Sequence, residues 1–98
     1  MRNFSSKALE LAKQIPEGRV TTYSEIARAL NSRACRAAGQ ALKRNTNPIV
    51  VPCHRVVRSD GSLGGYSQGI RKKAELLKKE GIEISNGRIY LKKFFYSF

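Results

Sequence analysis

The chain has 98 residues, 41% of them apolar, which suits one compact domain with a modest core and excludes an intrinsically disordered chain. Lys and Arg total 19 against 7 acidic residues, a net charge of +12 that points to a polyanionic partner held by salt-sensitive contacts. No run of about 18 apolar residues exists to span a membrane, and the opening Met1-Arg-Asn-Phe-Ser-Ser6 lacks the apolar core of a secretion signal, so a cytoplasmic protein is expected.

The first predicted element is a helix capped by Ser5 or Ser6 and running to about Gln14, with Ala8, Leu11, Ala12 and Ile15 as its apolar stripe. Pro16-Glu-Gly18 ends it in a turn. Thr22-Tyr-Ser-Glu25 reads as a capping box, the Thr22 hydroxyl meeting the Glu25 N–H and the Glu25 carboxylate reaching back, ahead of a short helix from Ser24 to about Leu30. Asn31-Ser32 is a brief break with Ser32 as a second cap, and a further helix is expected from about Arg33 to Arg44. Two short helices across a tight break give the outline of a helix-turn-helix. Ala34, Ala37, Ala38, Gly39 and Ala41 alternate with Arg33, Arg36, Lys43 and Arg44 on the second helix; small residues there allow close packing on a neighbouring helix or close approach to a DNA groove, and pattern alone does not choose.

Asn45–Pro48 is expected as a loop and Ile49–Val51 as a short buried strand or extended segment, leading into Pro52-Cys-His-Arg55 and Val56-Val57. The Arg58–Ser62 stretch is turn-rich and Gly64–Ser67 continues as a loop. A helix is expected over about Ile70 to Lys79, with Ile70, Ala74 and Leu77 on one face and Gly81 as its stop. Ile82–Ile84 and Arg88–Leu91 flank Asn86-Gly87 and predict a hairpin. The aromatic tail, Phe94 to Phe98, is compatible with packing back or with fraying.

Cys53 stands beside the single histidine, His54, with Arg55 adding positive charge. A thiolate is a strong nucleophile near neutral pH if a base takes its proton in an electropositive setting. Neighbours on a strand point to opposite faces, so a direct Cys53–His54 contact requires a turn or a bridging water. A histidine base also needs an orienting partner, and spacing does not choose among Glu10, Glu17, Glu25, Asp60, Glu75, Glu80 and Glu83. Cys53 and the second cysteine, Cys35, are expected as thiols; with one His they fall short of a zinc site, and no metal or cofactor is expected.

The run Asn47-Pro-Ile-Val-Val-Pro-Cys-His-Arg-Val56 resembles the active-site signature of the O6-alkylguanine-DNA alkyltransferases. Four further blocks resemble that family in the same order, from about residue 5 to residue 91: Ile15-Pro-Glu-Gly-Arg-Val-Thr-Thr-Tyr-Ser24, Arg36-Ala-Ala-Gly39, Asp60-Gly-Ser-Leu-Gly-Gly-Tyr-Ser67 and Leu76-Leu-Lys-Lys-Glu-Gly81. The resemblance implies a mainly α, winged-helix-like DNA-binding domain with small β elements and a helix-turn-helix. It implies stoichiometric repair, in which an alkyl group passes from O6-alkylguanine, flipped out of duplex DNA, to the protein's own cysteine, with no cofactor.

Position by position, the resemblance makes Cys53 the alkyl acceptor and His54 the residue that relays its proton through a water. Glu80 orients His54, Asn45 holds the active-site turn, and Tyr23 donates a proton toward guanine N3. Tyr66 lines the pocket, Ser67 sits near O6, Leu42 contacts the substrate, and the main chain at Cys53 and Val56 accepts from the guanine amino group. Arg36 fills the gap left by the flipped base, on a minor-groove helix whose contacts include Arg33, Ala34, Cys35, Ala37 and Lys43, and Gln68 and its loop tune pocket size. Two departures stand out: the family's larger members carry an N-terminal domain where this chain is expected to be a single catalytic domain, and Cys35 occupies a position where a small residue such as Ala is usual. A monomer is the default expectation. Two other readings are a non-catalytic alkyltransferase-like lesion binder, which typically has another residue at the Cys53 position, and a small winged-helix regulator.

Overall fold

The computed structural model describes residues 4–32, 52–66 and 68–98. The expected second helix of the helix-turn-helix, the 45–48 loop, the 49–51 segment and Ser67 lie outside these residues.

Helix α1 spans Phe4–Lys13, so it starts before Ser5 and Ser6 and neither serves as the residue preceding it. Its stripe is as the spacing predicts: Ala8 and Ala12 are fully buried, as is Ile15 beyond its end. The turn after it closes through Arg19 N–H to the Pro16 carbonyl, with Gly18 at a φ of +85° that only glycine adopts without strain.

Strand β1 (Thr21–Thr22) pairs in parallel with β2 (Val56–Val57), in the register Thr21↔Val56 and Thr22↔Val57. No alternation in the sequence announces a strand of two residues, and β1 is an element that the sequence reading lacks. Because successive side chains on a strand face opposite ways, Val56 and Val57 feed two different cores. Val56 joins Ala8, Ala12, Ile15, Ile26, Cys53 and Tyr66, while Val57 joins Val20, Leu63, Leu77, Ile82, Ile89 and Phe94.

Helix α2 (Tyr23–Ala29) begins at once after β1, capped by Thr22, whose hydroxyl accepts from the Glu25 N–H at 3.0 Å. The expected reciprocal bond is not made, because the Glu25 carboxylate is taken by the Arg28 guanidinium at 2.7 and 2.6 Å, together with the Phe98 N–H at 2.9 Å and the Ser97 hydroxyl at 3.2 Å. The helix ends with Asn31 in the left-handed region, where Ser32 N–H bonds the Ala27 carbonyl and Asn31 N–H that of Arg28.

After the 3-10 turn of Cys53–Arg55 and β2, the chain loops to helix α3 (Ile70–Lys79). Leu77 is fully buried on the inner face as expected, but Ile70 is 56% exposed and its place inside is taken by Lys73, with no exposure at all. Gly81 stops the helix at φ +86°, with Ile82 N–H bonding Leu77 and Gly81 N–H bonding Lys78, so that Glu80 caps the helix end in a fixed orientation.

The hairpin forms at the expected Asn86-Gly87 turn, both residues at positive φ, between β3 (Ile84–Ser85) and β4 (Arg88–Ile89). Its second strand is shorter than expected, because Leu91 opens a one-turn helix, α4 (Leu91–Phe94). The tail packs back. Tyr96 N–H bonds the Val20 carbonyl, Val20 N–H bonds that of Phe94, and Tyr96 and Phe98 lie against the Ala8–Tyr66 core. Among the described residues the fold is helix-rich with two small two-stranded sheets, in line with the expected mainly α domain with small β elements.

Candidate active site

Pro52 precedes a single tight turn in which Cys53, His54 and Arg55 are successive, closed by Arg55 N–H to the Pro52 carbonyl at 3.0 Å. A turn rather than a strand lets neighbouring side chains serve one site. Cys53 is 3% exposed and His54 6%. The parallel pairing of β1 with β2 brings the start of α2, and with it Tyr23, alongside this turn.

Glu80 holds the turn from the other side. Its carboxylate accepts from His54 Nε2 at 2.7 Å and from Arg55 Nε and Nη2 at 2.9 and 2.8 Å. Arg55 Nη1 also donates to the Ile15 carbonyl at 2.8 Å, tying the end of α1 to the site. Burial of Glu80 favours its neutral acid, but the hydrogen bonds from Arg55 and His54 outweigh this and hold the carboxyl below its usual range. A carboxylate only accepts, so His54 carries its proton on Nε2 and leaves the lone pair on Nδ1. Burial also pushes His54 below its ordinary value, against the pull of Glu80, so the ring is neutral at neutral pH. Nδ1 is buried and has no hydrogen-bond partner among the described residues, an acceptor ready to take a proton.

Tyr23 stands across the site, its hydroxyl 3.4 Å from the Gly65 carbonyl and its ring against Gly64. Burial, with Cys53 adding to it, pushes the phenol up to about 12, so it is a donor rather than a base. Tyr66 is 7% exposed and meets His54 edge-to-face at 6.4 Å; its hydroxyl is buried without a hydrogen-bond partner among the described residues. The Val56 carbonyl points to Lys73 Nζ, 2.7 Å away.

The family described as 6-O-methylguanine DNA methyltransferase, DNA binding domain, matches residues 3–82. The chain belongs to that family. A bifunctional methyltransferase/endonuclease of Picrophilus torridus is 54% identical over 85 residues, 86% of this chain and 28% of that protein. The O6-methylguanine-DNA methyltransferase structure from Pyrococcus kodakaraensis is 49% identical over 84% of this chain and 48% of its own, with a TM-score of 0.74. S. pombe Atl1, in complex with damaged DNA containing O6-carboxymethylguanine, is 31% identical and aligned over all of both chains, with a TM-score of 0.88. The chain spans about half or less of the length of the curated relatives it matches. Among these methyltransferase-family proteins the fold is that of the DNA-binding domain, and the family is one of DNA repair.

Of the residues singled out in the sequence, the structure brings together Cys53, His54, Glu80, Tyr23, Tyr66 and Val56. Arg33, Ala34, Cys35, Arg36, Ala37, Leu42, Lys43, Asn45 and Ser67 lie outside the described residues, and Gln68 is exposed beside Gly69. Two residues of the site are not evident from the sequence in the parts they play. Arg55 stands out there only as a nearby positive charge, yet it is the fork that grips Glu80. Lys73 is buried although hydropathy scores a lysine as surface, and its one sequence signal is a spacing of four from Leu77 on the inner face. No helix among the described residues is long and apolar enough to cross a membrane, and among them no group of acidic, His and Cys side chains has the makings of a metal site.

Proposed function

We propose that this chain is the catalytic, DNA-binding domain of an O6-alkylguanine-DNA alkyltransferase, which moves the alkyl group of a flipped-out guanine in duplex DNA onto Cys53, once per molecule. The observation that carries the reading is the contiguity of Cys53 with a neutral His54 whose Nε2 is locked onto Glu80, leaving Nδ1 open. A water between the sulfur and Nδ1 passes the thiol proton to His54, and the imidazolium so formed is stabilised by the adjoining Glu80 carboxylate. The thiolate then attacks the alkyl carbon, the carbon–O6 bond breaks, and Tyr23 protonates the departing guanine at N3. A thioether is a poor leaving group, so the protein is consumed.

The deep setting of Cys53 means that the base must enter past side chains. In this reading Tyr66 and Leu42 flank the base, Ser67 faces O6, the Cys53 and Val56 carbonyls receive the amino group, and Asn45 braces the turn. Arg36 occupies the vacated stack position on a minor-groove helix that also carries Arg33, Ala34, Cys35, Ala37 and Lys43. A monomer working on cellular DNA in the cytoplasm suits this chemistry, and the +12 charge supplies the non-specific attraction.

Intact-mass measurement after incubation with O6-methylguanine duplex tests the reading. A gain of about one methylene on the peptide holding Cys53, absent in Cys53→Ala, is expected; no gain in the wild-type protein overturns it. One observation favours a second reading. The match to Atl1, seen in complex with damaged DNA containing O6-carboxymethylguanine, suits a protein that binds the lesion; if binding is all that happens, lesion DNA is bound tightly and the mass stays unchanged.

A further inference from the structure

We propose that the groove between the start of α2 and α4 is an additional DNA subsite. It seats one nucleotide of the strand beside the lesion, the phosphate on Lys92 and the sugar and base against Phe95 and Leu91. This rests on the DNA-binding part of the reading above and extends it to residues past the matched family segment, which ends at residue 82.

Three segments far apart in the chain line a groove of about 360 Å³: Thr22 at the end of β1, Ser59 after β2, and Leu91, Lys92 and Phe95 in and after α4. That size is at the low end for ligand pockets and suits a single nucleotide unit. The tail side is held by main-chain bonds. Val20 N–H bonds the Phe94 carbonyl, Tyr96 N–H bonds that of Val20, and Arg19 Nη1 donates to the Lys93 carbonyl at 2.7 Å. Phe94 is thereby buried, while Phe95, extended beside Val20, is 38% exposed. A fixed ring half in water next to a lysine is a platform on which the face of a sugar or base can lie.

Charge decides the occupant. The acidic side chains near the groove are already engaged. Asp60 takes the Ser62 hydroxyl and N–H at 2.6 and 2.9 Å and lies 4.0 Å from Arg88, and Glu83 takes Lys93 at 3.1 Å. Lys92 and Arg58 are exposed, and neither pairs with a carboxylate among the described residues. Arg58 stands with the Tyr23 ring against Gly64, so uncompensated cations lead from the reaction site to the groove. Thr22 lines the groove and Tyr23 the site, with Cα atoms about 3.8 Å apart, so a strand whose base occupies the site passes the groove within a few nucleotides. An apolar floor with a free ammonium at its rim fits a nucleotide, and five residues are too small a face to enter a lipid surface.

The test is equilibrium binding, by fluorescence anisotropy at several salt concentrations, to O6-methylguanine duplexes of one length. The lesion lies at the centre or close to either end, and all proteins carry Cys53→Ala so that no transfer occurs. Lys92→Ala should bind the central-lesion duplex more weakly and lower the slope of log K against log salt by about 1. Phe95→Ala should weaken binding about 5-fold or more with the slope unchanged, and Phe95→Tyr, which keeps a ring, should restore it. Phe95→Leu serves if the Ala variant fails to fold. Both losses should vanish when the lesion sits near one particular end, because the nucleotide that fills the groove is then missing. Variants that bind every duplex as the parent does, with the same slope, overturn the proposal and leave the groove to a protein partner. Losses that persist with the lesion near either end also overturn it, since the residues then act through the fold. In both cases the DNA-binding reading stands; a parent protein with no affinity for duplex overturns both.

Discussion

Removing the Glu80 carboxylate separates two roles that it plays at once. The group is 9% exposed, and the His54 and Arg55 side chains it binds are 8% and 16% exposed. Glu80→Ala leaves the Arg55 cation without its partner in a largely dry site, a loss of about 3–5 kcal/mol. For a domain of this size, about 1 kcal/mol shifts Tm by roughly 4–8 °C, so a fall of at least roughly 12 °C is expected by circular dichroism. Glu80→Gln keeps the shape but sets an amide NH2 against either His54 Nε2–H or an Arg55 N–H. Relief comes if His54 moves its proton to Nδ1 and accepts at Nε2, which removes the lone pair proposed to take the Cys53 proton. The Gln variant should therefore melt closer to wild type than the Ala variant does, while losing most of its methyl transfer and keeping its affinity for lesion DNA. A Glu80→Ala protein melting within about 4 °C of wild type would refute the claim that this carboxylate holds the turn.

Other expectations follow from the same structure. His54, Glu80 and Glu25 are all held below their ordinary values, Glu25 at about 2 chiefly through Arg28, so the unfolded chain binds more protons than the folded one. Their contribution is present above the unfolded values of about 6.5 and 4.3 and is lost as pH falls through the depressed ones. Tm should decline from about pH 6 downward and keep declining toward pH 2; a rise on acidification contradicts the assignment. Thr22→Ala removes the α2 cap and should cost about 1 kcal/mol in urea unfolding, and no measurable change would mean that the cap bond is not made in solution. Gly61→Ala places a Cβ 2.6 Å from the Ile89 carbonyl oxygen at a φ of +89°, so a loss of more than about 1 kcal/mol and shifted amide resonances in the 84–89 hairpin are expected.

What could be read in advance follows a physical rule. Features encoded by local periodicity or turn chemistry were legible: the α1 stripe, the Thr22 cap, the extent of α3, and the Asn86-Gly87 turn. Features set by distant partners were not. Glu25 sits where a capping box wants it, yet its carboxylate is claimed by a tail more than 70 residues away. Ile70 looks like a core residue and is exposed, while Lys73 looks like a surface residue and is buried, because its ammonium finds three carbonyls that no local pattern reveals. At the site, residue types and motif order picked out Glu80 through family likeness; spacing offered seven carboxylates with no means of choosing. The Arg55 fork, a matter of side-chain reach, became visible only with the fold.

The two-residue parallel ladder between Thr21-Thr22 and Val56-Val57 has an evolutionary corollary. It staples together the ends of a long excursion that contains the whole proposed DNA-reading helix. Lengthening such an excursion costs only about 0.6 kcal/mol per doubling in closure entropy. Insertions or wholesale rewriting within it can therefore retune which duplex contexts are sampled while Tyr23 and Cys53 keep their mutual placement, so that recognition and reactivity diversify as separate modules of one small domain.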